Sequence, residues 1–369
     1  MRHYLSNNQV TPHRPDIERV IKTIREQLQI LATSIGLTPL RGDASNRVYY
    51  RVSLRSTPLH CPQSLVLMQL ADPEGFKESE EAISTSDIPI AELPFANVHA
   101  HLQSSNLPVP RLHYYDRDAG ILYLEDLGDV TLEHAVRNAD PHVIHTLYTQ
   151  AIDILIDMHT NASRQGETSR PCIAFGRMFD VPLLMWEFNH FIEYGIIARN
   201  GRVMCSNDFL PLKEEFQKIA ECIASERRVF THRDYHSRNL MVHGNQIGLL
   251  DFQDAMMGPA AYDLASLLRD SYIQIDEELV DELIMKYIKG MPKNSIGDVD
   301  DFRRIFDFTS IQRNLKAAGR FVYIASVKHN SKFLADIPRA LGYVRRNLQK
   351  YPELKLLHTH LAPYVPELS

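Results

Sequence analysis

The spacing of apolar residues changes once along the chain, and that change limits the folds open to it. In "RVYYRVSL" the residues Val48, Tyr50, Val52 and Leu54 alternate with Tyr49, Arg51 and Ser53, the period of a half-buried strand. "SLVLMQL" (64–70), "RLHYYD" and "GILYLED" read as three more strands, the last two joined by the turn "RDAG". One helical stretch interrupts them: "LPFANVHAHLQ" has Pro94 near its start and Phe95, Val98 and Leu102 on one face. Ahead of the strands, Asp16 is placed to cap a helix predicted to run to about Ile35. Its apolar face is Ile17, Val20, Ile21, Ile24, Leu28 and Leu31, and Gly36 stands as its stop. Beyond Leu127-Gly128 the period lengthens to that of helices. Asp140-Pro141 is a cap and first-turn pair ahead of a helix predicted to bury Val143, Leu147, Ile154, Leu155 and Met158. Further helical patterns cover about 181–199, 211–226, 260–274, 277–289, 300–330 and 336–350. Strands followed by helices imply an α+β chain in two lobes, with the seam near Glu125 to Gly128. The expected division is 1–126 and 127–369.

Within the helical part, one stretch returns to short strand-like runs: "THRDYHSRNLMVHGNQIGLLDFQD", residues 231–254. Asp234 and Asn239 are separated by four residues after His232-Arg233, the H-R-D-x-x-x-x-N spacing used in phosphoryl transfer. That chemistry asks for a carboxylate near the attacking hydroxyl, oxygen ligands for Mg²⁺, and positioning. Asp234 suits the first role. Asn239 offers a carbonyl oxygen to a hard cation. Asp251 follows the strand-like "QIGLL", so a hairpin with "HGN" at its tip is expected to present Asp234 and Asn239 at one end and Asp251 beside them. The bland alternative is a polar hairpin without chemistry.

Composition narrows the partners. The chain has 369 residues, 44% of them hydrophobic, enough for a sizeable core. Its formal charge of −6 argues against nucleic acid, which is bound mainly through excess Lys and Arg. Cys61, Cys172, Cys205 and Cys222 form no Cys-x-x-Cys pair, so reduced thiols are expected. "MRHYLSNNQVTPHRPDIERV" lacks the apolar core of a signal peptide, and no apolar run approaches a membrane span. A cytoplasmic location is the expectation. The pairs His99/His101 and His358/His360 invite a metal reading, but residues two apart on a helix do not face each other, and solvent-facing histidines are expected.

The segments "HRDYHSRNLM", "LLDFQDAMMGPAAYDLASLLRD" and "RGDASNRVYYRV" resemble the aminoglycoside phosphotransferase and choline kinase superfamily. Within it they are most similar to the anomeric kinases of N-acetylmuramate and N-acetylglucosamine, which act in cell-wall sugar recycling. The likeness spans roughly residues 36–275. It implies a protein-kinase-like fold with a small β-rich N-terminal lobe and a larger helical C-terminal lobe, and a kinase using ATP and Mg²⁺ on a small-molecule sugar. By the resemblance Asp234 is the catalytic base, and Asn239 and Asp251 hold the metal. Gly42, Asp43, Ala44 and Ser45 would form the turn over the nucleotide phosphates, aided by Arg47. Glu125 and Leu127 would sit at the hinge that meets adenine through backbone groups. Asp263 is expected to brace the catalytic loop from a helix start. Substrate contacts are expected from Asp254, Arg238, His236 and Glu187, the last in the aromatic stretch "LLMWEFNHFIEYGI".

The pattern departs from the family in one respect. A kinase of this class carries a Lys on its third strand, where Met68 stands here, and "PFANVHAHLQ" offers no partner glutamate. Arg47 or Arg51 is a candidate for the missing charge. The alternatives are a kinase of an aminoglycoside or choline-like amino alcohol, whose cationic substrate would want several acidic residues in the site, and a nucleotide-binding pseudokinase.

Overall fold

The computed structural model describes residues 14–40, 47–55, 57–58, 61–70, 92–165, 170–201, 203–293 and 295–369. The chain divides into two compact units, Met1–Lys77 with Pro110–Gly128 and Glu78–Val109 with Asp129–Ser369.

The first unit is a five-stranded antiparallel sheet in the order β1-β2-β3-β5-β4, with β1 Ser34–Leu40, β2 Val48–Arg55, β3 Ser64–Gln69, β4 Leu112–Asp116 and β5 Ile121–Glu125. Helix α1 (Ile17–Glu26) is capped by Asp16, whose side chain accepts from the Glu18 and Arg19 amides. It packs Val20 and Ile24 against Val52, Leu54, Leu65, Leu67 and Tyr123. The Arg19 guanidinium grips Asp116 of β4 at 2.6 and 2.5 Å. The expected helix to Ile35 is too long. Gln29 takes a φ of 56°, which no helix continues through, and residues 34–40 pair along β2 from Ser34↔Arg55 to Leu40↔Tyr49. Cross-strand hydrogen bonds thus outweigh helical spacing in this segment, and Pro39 is tolerated because β1 is an edge.

The second unit is mostly helical. Its helices are α2 Pro94–Ser104, α3 Leu132–Val136, α4 Pro141–Asp157, α5 Val181–His190, α6 Ser206–Ala224, α7 Ala260–Leu268, α8 Glu277–Gly290, α9 Val299–Val327, α10 Ile337–Lys350 and α11 Lys355–Leu361. Helix α5 runs on into a π-helical stretch, Phe191–Ala198. Two small ribbons complete it: β6 Arg228–Thr231 with β9 Met256–Pro259, and β7 Leu240–His243 with β8 Gln246–Leu249. Helix α2 belongs here through side-chain contacts. Asn97 bonds the Pro171 carbonyl at 2.9 Å and the Ile173 amide at 2.8 Å, and Phe95 lies 4.9 Å from the Phe252 ring. His99 and His101 are buried rather than solvent-facing, because Phe252 and the Ala162 carbonyl, 2.7 Å from His101 Nε2, take them up. In α4, Val143 is exposed, and Tyr148, Ala151 and Ile152 join Leu155 in the core instead.

Helix α9 is the axis of this unit. It packs on α5, α7, α10 and the π-helical stretch, so apolar residues occur on most of its sides. At Gly319 its backbone comes so close to Phe191 that an added Cβ would lie 2.8 Å from the Phe191 Cα. Ala favours helices over Gly by about 1 kcal/mol. Overpacking against backbone typically costs about 1–3 kcal/mol. We therefore expect Gly319→Ala to lower the thermal midpoint. A raised midpoint in calorimetry would show that the two helices separate freely.

Candidate active site

The site grows from the end of β6. Asp263, in the first turn of α7, is fully buried and accepts the amides of His232 at 2.6 Å and Arg233 at 3.0 Å. This is the brace expected from the sequence. His159 Nε2 lies 3.5 Å from the same carboxylate, and its Nδ1 shares a 2.6 Å hydrogen bond with the Tyr287 hydroxyl. The two donated amides hold Arg233 at a φ of 79°, a conformation costly for a side chain with a Cβ. Beyond it the chain turns tightly: the His236 amide bonds the Asp234 carbonyl, and the Asn239 amide bonds the His236 carbonyl, both at 2.9 Å. Asp270 accepts the Ser237 amide at 2.9 Å.

The β7–β8 ribbon turns at Gly244, whose φ of 59° suits a residue without a side chain. At its open end the Leu250 amide donates to the Asn239 carbonyl at 2.9 Å. The hairpin therefore sets Asn239 and Asp251 side by side, as its spacing suggested. Asp251 also has a positive φ, 60°, and its side chain is exposed. Phe252 turns inward against Phe95 and His99. Gln253 is buried, and its amide nitrogen bridges Asp251 Oδ1 at 2.9 Å and Asp254 Oδ2 at 3.1 Å.

The charge around Asp234 comes largely from α9, a source that motif reading missed. Burial opposes ionisation of the Asp234 carboxyl, yet the nearby Lys316, His236, Arg313 and Arg233 together hold its pKa well below the ordinary carboxylate range. Lys316 Nζ lies 2.8 Å from Glu187 Oε1 and 3.2 Å from the Tyr262 hydroxyl. Arg313 donates to the Arg233 carbonyl at 2.8 Å and lies 4.9 Å from the Tyr262 ring centre. Helical spacing of i and i+3 puts both cations on one face, but nothing in "RNLK" separates them from ordinary surface charge.

The expected substrate residues are placed unequally. Asp254 is half-buried and tied to Asp251 through Gln253. His236 packs edge-on against Tyr272 at 5.2 Å, and burial pushes its pKa down. Arg238 is held by Glu133 at 2.7 Å and stacks 3.6 Å above Tyr272. Glu187 is fully buried beneath the site. Its oxygens receive Lys316, Arg233 at 3.3 Å and Gln312 at 2.7 Å, so it anchors cations rather than presenting an open carboxylate.

The expected nucleotide residues belong to the sheet unit. Gly42, Asp43, Ala44 and Ser45 lie outside the described residues. Arg47 directly precedes β2. Glu125 closes β5: its amide donates to the Arg111 carbonyl at 2.8 Å, and its carboxylate accepts the Arg111 amide at 3.0 Å. Leu127 follows, half-buried. Met68 points into the core, and Arg51 is paired with Asp126 at 2.7 Å.

The donor set fits magnesium. Asn239 Nδ2 donates to the Asp234 carbonyl at 2.9 Å, which leaves the amide oxygen as the atom able to ligate a cation. That oxygen and the Asp251 carboxylate are both hard ligands. Among the described residues no cluster of three or more His, Cys, Asp or Glu side chains builds an all-protein metal cage. A pair of oxygen ligands suits a cation that keeps water and substrate oxygens in its shell.

Asp263→Ala would leave two buried loop amides without an acceptor. Hydrogen bonds to charged groups contribute about 1.5–3 kcal/mol each. We expect the unfolding free energy to fall by about 3 kcal/mol or more in urea titration. A loss below about 1 kcal/mol would show that the loop holds its own shape.

Comparisons with known proteins identify the family and the fold. Residues 36–294 match the phosphotransferase enzyme family. An N-acetylmuramate/N-acetylglucosamine kinase of Neisseria meningitidis is 32% identical over 263 residues, 70% of this chain and 75% of that protein. A kinase of the same name from Pseudomonas aeruginosa is 29% identical over 333 residues, 88% of each. Among solved structures, a choline kinase from Streptococcus pneumoniae superposes with a TM-score of 0.56 at 16% identity, covering 91% of this chain and 99% of that one. A gentamicin-bound aminoglycoside phosphotransferase gives 0.56 at 14% identity, covering 93% and 99%. The fold is thus the protein-kinase-like one of these enzymes. With the family matched over most of its length, the chain belongs to the phosphotransferase enzyme family, as a kinase that transfers phosphate to a hydroxyl group.

Proposed function

We propose that the protein transfers the γ-phosphoryl group of ATP, with Mg²⁺, to the anomeric hydroxyl of an N-acetylated amino sugar, N-acetylmuramate or N-acetylglucosamine. Its setting would be peptidoglycan recycling in the cytoplasm. The observation that carries this reading is the ionised Asp234 among Lys316, Arg313 and Arg233, with Glu187 already consumed. Positive charge from these three residues beside the base favours a neutral or acidic sugar over a cationic aminoglycoside or choline-like acceptor. The names of the relatives at 27–32% identity point the same way.

In this reading Asp234 accepts a hydrogen bond from the sugar hydroxyl and orients its oxygen toward the phosphorus. The new O–P bond forms as the bond to the ADP oxygen breaks, and the hydroxyl proton passes to the Asp234 carboxylate. A strongly depressed pKa makes Asp234 a weak base. This is adequate because a largely dissociative transfer needs the proton late, and an anomeric hydroxyl is more acidic than an ordinary one. Asn239 and Asp251 would hold Mg²⁺, which supplies neutralising charge to the phosphate oxygens. Gly42, Asp43, Ala44, Ser45, Arg47 and the backbone at Glu125 and Leu127 remain the proposed nucleotide contacts. Asp254 is the proposed sugar-hydroxyl contact, with His236 beside it.

Removing a general base costs about 10²- to 10⁴-fold in rate. Asp234→Asn should lower kcat by that order while nucleotide affinity, measured by calorimetry, holds; unchanged turnover would sink the assignment. EDTA should abolish activity, and Asp251→Ala should raise the Mg²⁺ requirement more than Asn239→Ala, because it removes a charged ligand. For regiochemistry, phosphorus NMR should show an acid-labile glycosyl phosphate, and the methyl glycoside should not react. A methyl glycoside phosphorylated as fast as the free sugar would exclude anomeric transfer.

A further inference from the structure

Resting on that reading, we propose that Lys316, assisted by Arg313, receives a carboxylate carried by the acceptor sugar, so that the site is built for an acidic N-acetylamino sugar and takes the neutral one as the poorer substrate. Three observations lead there. First, the two cations share a face of α9 and flank one ring, Tyr262, with Lys316 Nζ at 5.9 Å and the Arg313 guanidinium carbon at 4.9 Å from its centre. Second, their donors are only partly used. Of the three N–H bonds of Lys316, one meets Glu187 and one the Tyr262 hydroxyl, and 22% of the side chain is exposed. Of the five N–H bonds of Arg313, one meets the Arg233 carbonyl and one the Tyr262 hydroxyl. Third, both lie within electrostatic reach of Asp234, the proposed acceptor-side carboxylate, with Lys316 its strongest attraction.

A purely structural partner for Glu187 would explain one ammonium. Arg313, one helical turn away, braces the Arg233 carbonyl and Tyr262 and adds a second positive charge to the same face. Arg233 and the Gln312 amide already serve Glu187, so the Lys316 contact adds a third donor to a carboxylate that has two. A phosphate-binding role fits less well, because the proposed metal ligands Asn239 and Asp251 sit at the open end of the hairpin, whereas Lys316 is joined to Glu187 and Tyr262.

The test uses the wild-type protein first. Turnover of N-acetylmuramate is compared with that of its carboxamide, which keeps shape and loses charge, and with N-acetylglucosamine. We expect kcat/KM for the acid to exceed that for the carboxamide at least tenfold, chiefly through KM. Lys316→Met should shrink the acid-to-carboxamide ratio toward unity, and Lys316→Arg should keep it. Equal kcat/KM for acid and carboxamide in the wild type would overturn the inference and leave the sugar-kinase reading standing. So would an equal loss on both substrates in Lys316→Met, which would mark Lys316 as a brace for Glu187. Failure of the wild type to phosphorylate any of the three sugars would overturn both.

Discussion

The Asp263 carboxylate is the fixed point of the site. It takes two consecutive amides, of His232 and Arg233, that no strand or helix serves. Those bonds bend the chain through an unfavourable φ at Arg233 and so aim Asp234 away from the core into which Tyr235 turns. A buried carboxylate is expensive to desolvate, and two backbone donors with a histidine nearby offset that cost. Everything downstream inherits this geometry: the turn 234–239, the Asn239 amide that closes it, and the ribbon that returns the chain to Asp251.

A second set of charges lies beneath the first. Glu187 brings a negative charge to a fully buried position, and Lys316, Arg233 and Gln312 surround it. Breaking such a buried set by removing one partner generally costs about 3–5 kcal/mol, whereas an apolar replacement of the whole set can be neutral. Stability alone therefore gives little reason to keep these ions. Their value lies in orientation. Glu187 pins Arg233 and Lys316, whose field keeps the Asp234 carboxylate ionised.

Much of this was legible in the sequence, for definite reasons. β2, β3, β4, β5 and the β7–β8 ribbon announce themselves because strand alternation and turn residues are local signals. The offsets between Asp234, Asn239 and Asp251 are likewise set by a hairpin of fixed length. Segment 34–40 defeats local reading because its pairing with β2 is non-local and its apolar residues continue a helical spacing. Lys316 and Arg313 were invisible because they reach the site from α9, far along the chain. Glu187 was seen as a polar residue in an aromatic helix, but its depth depends on which face of α5 meets α9. Arg238 was expected to meet substrate, and only the fold shows that Glu133 and Tyr272 occupy it.

The one side-chain amide nitrogen of Gln253 bonds two carboxylates, Asp251 and Asp254, on either side of it. That has a thermodynamic corollary. A ligand that draws on Asp251 must either keep the amide bridge or release Asp254 from it, so occupancy at one aspartate is felt at the other over the length of a single side chain. Linkage of this kind is reciprocal.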